Sequence, residues 1–239
     1  MGNLSSLPDW SQAQPLTCEA SVGPTPGQVV TVPDLLPDPP VGQGRYYVTG
    51  KTLELDFAVA LAEVLLAHFA DAENGGFYFT ADDHERLIQR PKPYGDESLP
   101  AGNGVAAVAL GRLGHLLGET RYLDAAERTL RNAWSQMARL PYAHATLLRA
   151  LDEHLEPPEI VVLRGDGALA QWHGRATAGF APRRLSLAIP ADATGLPAGL
   201  AERVAPPHGC LAYVCRGTHC EAPLADLGAL DRSLASGEP

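Results

Sequence analysis

The stretch DAENGGFYFTADDHERLIQRPKPYGDESLPAGNGVAAV, residues 71–108, decides how this chain is read. One helical pattern ends just before it and another begins at its far end. Connections of this length are uncommon in a compact domain unless they carry function or are disordered. Paired glycines, aromatics and charges of both signs give this one the content of an ordered loop rather than a plain linker.

Working outward, residues 52–69 carry Leu55, Val59, Ala62, Leu66 and Phe69 at helical spacing. Phe57, Leu61, Val64 and Leu65 widen that stripe around most of the circumference. A helix apolar nearly all round expects neighbours on more than one side. Downstream, 103–117 reads as an Ala-rich helix with Val105, Val108, Ala109, Leu113 and Leu116 inward, ended by Gly118 as a left-handed cap. Residues 122–140 form a third helix with Leu123, Ala126, Leu130, Ala133, Trp134 and Met137 on one face. Pro141 marks a break, and 143–155 is a fourth helix, stopped by Pro157-Pro158. Short links between these three helices imply antiparallel neighbours.

After Pro157 the pattern changes. The run Glu159-Ile160-Val161-Val162-Leu163 reads as a buried strand, and 184–189 and 211–215 are further strands. Residues 168–178, 196–204 and 224–234 read as helices between and after them, which makes a small α/β module. Before the first helix, residues 1–44 hold eight prolines and only one short strand candidate, 28–32. Proline removes donors and fixes φ, so no long element is expected there. The expected organisation is therefore a Pro-rich segment 1–44, disordered or unrelated to the rest, then a helical region 45–157, then an α/β region 158–239.

The net charge of −10 and a pI near 5.2, with Lys51 and Lys92 as the two lysines, argue against nucleic-acid and anionic-membrane partners. No apolar run reaches the ~20 residues of a membrane-spanning helix, and no signal peptide is visible. Four cysteines in 239 residues do not suggest a secreted disulfide scaffold, so the cytoplasm is the default location.

Several motifs stand in a telling order. Gly75-Gly76-Phe77-Tyr78-Phe79-Thr80 has the form G-G-F-F-x-T, and Leu87-Ile88 with Arg90 and Lys92 the form L-I-x-R-x-K. Asp96 with Pro100-Ala101-Gly102-Asn103 is similar to D-x-x-x-P-S-G-N. Leu117-Gly118, Arg121-Tyr122-Leu123 and Ala125-Ala126-Glu127 follow, and Ala212-Tyr213-Val214-Cys215, Cys220 and Pro223 have the form A-Y-V-C-x4-C-x-x-P. In order and spacing, roughly residues 45–235 resemble the C-terminal part of the thioredoxin-domain-containing proteins related to spermatogenesis-associated protein 20. That family carries a thioredoxin-like domain, a six-hairpin (α/α)6 toroid similar to that of N-acylglucosamine 2-epimerase, and a small C-terminal region.

The resemblance implies a mainly α fold: about two hairpins of the toroid followed by the α/β module. It also implies a concave, sugar-binding mouth to which Arg90, Asp96 and Asn103 contribute, with Tyr78 or Tyr94 stacking on a sugar or sugar-like molecule. Ala101 departs from the family serine, which removes any hydroxyl role there. Six hairpins need about twelve helices of several turns each, and four long helical patterns are visible. The expectation is a truncated, C-terminal fragment that is not catalytic alone, uses no cofactor, and self-associates through exposed apolar helix faces.

Simpler readings of the same residues stay open. Asp96 and Asn103 can instead cap the following helix. Asp82-Asp83-His84-Glu85 reads as a solvated loop, and no metal is expected. Gly165-Asp166-Gly167-Ala168-Leu169-Ala170 matches G-x-G-x-x-A but suits a β-to-α turn better than a dinucleotide site. Cys210, Cys215 and Cys220 can be buried thiols, a Cys215–Cys220 redox pair, or a partial metal set. Three functions therefore compete: a non-catalytic toroid fragment, a carbohydrate-active enzyme (epimerase, isomerase or glycosidase-like), and a cysteine-dependent redox or interaction module. Exposed apolar faces on the first two helices favour the first. Arg90 and Asp96 converging on a cavity favour the second, and a Cys215–Cys220 bond the third.

Overall fold

The structure is a computed structural model that describes residues 53–85 and 87–236. The expectations for 1–44, including the strand at 28–32, lie outside the described residues. The first helix, α1 (Leu53–Val64), continues as a π-helical turn, Leu65–Phe69. Its end is set by the loop that follows. Ala70 is extended and bridges Phe77, and the carbonyls of Phe69 and His68 accept the N–H groups of Tyr78 and Asp82. The carbonyls a helix leaves unsatisfied at its C-terminus are thus taken up by the 71–108 stretch.

Helices α2 (Gly102–Leu117), α3 (Thr120–Arg139) and α4 (Ala145–Leu155) follow as expected, with a 3₁₀ turn, Pro141–Ala143, before α4. Gly118 takes the left-handed conformation at φ 73° and donates its N–H to the Gly114 carbonyl. α2 packs on both α3 and α4 because its contact positions are small: a Cβ on Gly104 would lie 2.9 Å from Thr146 Cβ, and one on Gly114 2.6 Å from Leu123 Cδ2. On α3 the buried seam is Tyr122, Ala126, Thr129, Leu130, Ala133 and Met137. Trp134 was expected on that face and is instead exposed, as is Val105 on α2. One residue is a turn of ~100°, which carries Trp134 beyond the narrow seam that ends at Ala133. Arg112 on α2 bonds both carboxylate oxygens of Glu153 on α4, a bidentate pair that locks the two helices in register.

The remaining residues form the α/β module: β1 (Glu159–Gly165), α5 (Leu169–Ala176), β2 (Arg184–Pro190), α6 (Ala198–Ala201), β3 (Cys210–Arg216), β4 (His219–Cys220) and α7 (Leu227–Ser236). The sheet order is β2-β1-β3-β4, with β1 and β2 parallel and β3 antiparallel to β1. α6 is only a single turn, shorter than expected, and α7 begins at Leu227 because Leu224 instead bridges Ala212 beside β3. Alternate residues of β1 face opposite ways, so both faces are covered. Ile160 and Val162 pack with Leu185, Leu187 and Ile189 beneath Leu116 and Leu200, while Val161 and Leu163 pack with Trp172, Ala176, Leu230 and Leu234. Burial on both sides explains why β1 reads as a continuous apolar run. The Gly165 motif is the turn from β1 into α5. A Cβ on Gly165 would lie 2.2 Å from the Gly209 carbonyl oxygen, and Asp166 accepts the Gly209 N–H, so close approach of the chain explains the glycine.

Mainly α with a small mixed sheet is therefore the fold. No helix among the described residues is long and apolar enough to cross a membrane. The sheet meets the helical part where α6 lies on the end of α2, and Gly199 makes that approach: a Cβ there would lie 2.4 Å from the Leu117 carbonyl oxygen. Backbone cannot yield as a side-chain tip can. Gly199→Ala is expected to lower the unfolding free energy by about 2 kcal/mol in urea denaturation, despite the better helix propensity of alanine.

Candidate functional site

The 71–108 stretch is held by one carboxylate near its start. Asp71 is buried and sits at the mouth of the Gly75-Gly76 turn. Its side chain accepts the backbone N–H groups of Glu73 and Asn74, each at 3.0 Å, the Tyr78 hydroxyl at 3.1 Å and the Lys92 ammonium at 2.6 Å. Lys92 also donates to the Gly75 carbonyl. The turn needs both glycines. Gly75 and Gly76 have φ of 80° and 75°, and a Cβ would lie 2.6 Å from the Arg128 carbonyl oxygen in one case and 2.1 Å from the Tyr94 hydroxyl in the other. Lys92, followed by the Asn74 amide, holds the Asp71 carboxyl far below the usual carboxylate range.

Each sequence-predicted site residue has a defined place. Asn103 is buried on the first turn of α2. Its Oδ1 accepts the Phe77 N–H at 2.7 Å, and its Nδ2 donates to the carbonyls of Phe77 and Pro93, both at 2.9 Å. The side-chain amide thus pairs with the Phe77 backbone as a neighbouring strand would. Tyr94 is buried and donates its hydroxyl to Asn132 of α3 at 2.5 Å; burial pushes its pKa up to about 12. Arg90 donates to the carbonyls of Thr80 and His68, at 2.6 and 3.2 Å, and lies 4.2 Å from the centre of the Tyr78 ring. Asp96 accepts the N–H of Ala101, just before α2, and that of Thr146 in the first turn of α4, both at 2.8 Å. Burial works to raise its pKa, but these amides outweigh it and the net shift is downward.

Tyr78, Arg90, Lys92 and Asp71 therefore form one cluster, with Tyr94 and Asn103 meeting at Gly76. Asp96 stands apart, tying two helix N-termini together. A small recess between α2, α3 and α4 is lined by Gly111, His115, Leu123, Glu153 and His154 among others, and none of the five candidate residues lines it. Sequence reasoning passed over Asp71 and Asn132, and left Lys92 as a motif letter. The usable signal was the lysine itself, one of two in the chain, beside an acid at a Gly-Gly turn.

His68, Asp82 and Asp83 bring ligand atoms within 4.8 Å of one another, and His68 was not part of the acidic run read from the sequence. The His68–Asp82 contact, at 2.8 Å and exposed, raises the His68 pKa and is accounted for as an ordinary surface pair. Cys215 and Cys220 are joined by a disulfide across β3 and β4, which removes both sulfurs from any metal set, and Cys210 is a free, buried thiol whose pKa burial raises. No protein-family model matches the chain, and neither does any curated protein.

The arrangement organises backbone: Asp71, Arg90, Asp96 and Asn103 each bond main-chain groups. Removing Asp71 leaves a half-buried ammonium and two turn amides without their acceptor, so Asp71→Ala is expected to cost about 3 kcal/mol in chemical denaturation. The pH dependence follows from the same group. Its folded pKa is depressed, so its contribution is complete above the ordinary value of about 4 and is lost as pH falls below it. The loss of stability between pH 4 and pH 2 should be shallower in Asp71→Asn than in the parent chain.

Proposed function

We propose that the helical part is a wall segment of a six-hairpin (α/α) toroid, α1–α2 and α3–α4 being its two hairpins, and that it serves as a structural, partner-binding part of a thioredoxin-linked six-hairpin protein. On this reading the chain is not a catalytic centre by itself. The observation that carries it is the outer face of α1, where Phe57, Leu61 and Val64 are 48%, 53% and 49% exposed while Ala62 faces the core. Val105 on α2 is exposed in the same way, at 50%. Large apolar residues at helical spacing on an open face are what a toroid helix shows when the adjacent hairpin is not packed on it. The loop supports the same reading. Arg90, Asp96 and Asn103 bond backbone groups, as braces of an inter-helix connection do, and none of them lines the recess between α2, α3 and α4.

The reading predicts association driven by α1. In size-exclusion chromatography with light scattering, the purified chain is expected to run as a concentration-dependent oligomer. Phe57→Glu with Leu61→Glu is expected to shift it to monomer without loss of helical circular dichroism. A parent chain that stays monomeric at high concentration, with those residues in water, would sink the proposal. Calorimetry against simple sugars is expected to show no heat; saturable binding would instead favour a carbohydrate-active site at the loop.

A further inference from the structure

The Cys215–Cys220 bond has an asymmetry the fold does not require. Cys215 lies on β3, buried at 4% exposure against Ile160 and the lower face of the sheet, whereas Cys220 on the two-residue strand β4 is exposed. The buried sulfur has a cation beside it. Arg203, just past α6, donates one arm of its guanidinium to the Gly199 carbonyl and directs the other at Cys215 Sγ, 3.7 Å away. Among the described residues Arg203 forms no ion pair, and burial lowers its pKa. Carrying a desolvated guanidinium without an anion is unfavourable. Of the nearby charges, the exposed carboxylate of Glu202 works to raise the Arg203 pKa but forms no ion pair with it. Glu221 is engaged by Arg216 and Ser233, Glu159 by Arg184 and Arg216, and Tyr213 donates its hydroxyl to the Val204 carbonyl. The group that would become an anion at the end of the Arg203 side chain is Cys215 itself, once its disulfide opens.

We infer that Cys215–Cys220 is a thiol–disulfide exchange site, in which Cys220 is the sulfur attacked by an incoming dithiol and Cys215 is the leaving thiolate held by Arg203. The steps balance without a further reagent. A thiolate of the dithiol bonds to Cys220 Sγ, and the Cys215–Cys220 bond breaks with its electron pair passing to Cys215. The second thiolate of the reductant then attacks its own sulfur in the mixed disulfide and displaces Cys220, which takes a proton from water. The dithiol is oxidised to a disulfide and the protein pair is reduced. A thiolate leaves faster the lower its pKa, and a guanidinium in contact lowers that pKa, so Arg203 favours cleavage at this one bond and in this direction. In the opposite sense the Cys215 thiolate is placed to resolve a mixed disulfide on Cys220. The inference does not depend on the toroid reading, since every group involved lies in the α/β module.

Glutathione and dithiothreitol test it on the native chain. Brief exposure to reduced glutathione, an acid quench and tryptic mapping place the adduct, because cleavage after Arg216 separates the two cysteines. The adduct is expected on Cys220, and an adduct on Cys215 overturns the assignment. Dithiothreitol is expected to open the bond without denaturant, and oxidised glutathione to restore it, with unchanged circular dichroism; a bond that opens only in denaturant also overturns it. In Arg203→Met the rate of opening by dithiothreitol is expected to fall by about fivefold, and Arg203→Lys to recover most of the loss. An unchanged rate in a folded Arg203→Met chain would remove Arg203 from the site. The glutathione mapping needs no substitution and remains decisive if the Met variant does not fold.

Discussion

The Asp71–Lys92 ion pair is the contact on which the long connection depends. It spans 21 residues and closes the 71–108 stretch on itself, with the carboxylate also fixing the Gly75-Gly76 turn. Everything after it inherits that closure. The turn sets Phe77 against Asn103, which anchors the start of α2. It also sets Arg90 against the His68 carbonyl at the end of the first helix. Because the pair is largely buried, it is strong as a constraint and costly to break rather than a large net stabiliser.

The same physics separates the loop's polar residues from those of a binding mouth. A side chain that recognises a small molecule must keep donors or acceptors unfilled in a concave space. Asn103 makes three hydrogen bonds to backbone, and the two carboxylate oxygens of Asp96 are each taken by a helix-terminal amide. Such residues are constrained as tightly as a ligand set would be, and for a reason that produces the same residue types. Asparagine and aspartate at these positions read as pocket groups or as caps with equal ease from sequence, and only the positions of their partners separate the two.

The helices and the central strand were legible because burial imposes a period on the sequence. α2, α3 and α4 follow the 3.6-residue repeat, and β1, covered on both faces, shows as a run of five apolar-rich positions. Where neighbours rather than period decide, the reading slipped. Trp134 has the right chemistry for the core but sits one residue beyond the seam. β4 is two residues long and leaves no pattern, and Leu224 leaves its expected helix to bridge β3. The loop's partners were illegible for a related cause. Tyr94 and Asn132 are 38 residues apart, and no local rule links them. The cysteines fall between these cases: their spacing admitted a disulfide, but which sulfur is buried and what cation faces it are facts of the sheet.

The contact between Gly199 and the end of α2 bears on how the molecule opens. Leu116 closes one face of the sheet from the helical side, and α6 lies on Leu117 with no side chain between. Separating the strands from the helices would take Leu116 off the row Ile160, Val162, Leu187 and Ile189 and leave Leu200 alone to cover it. The two parts should therefore lose structure together. In native-state hydrogen exchange the amides of β1 and of the second half of α2 would belong to one protected group, opening only in the global event. A protease would find no early cut at Pro157-Pro158, although the change from helix to strand there makes it look like a hinge.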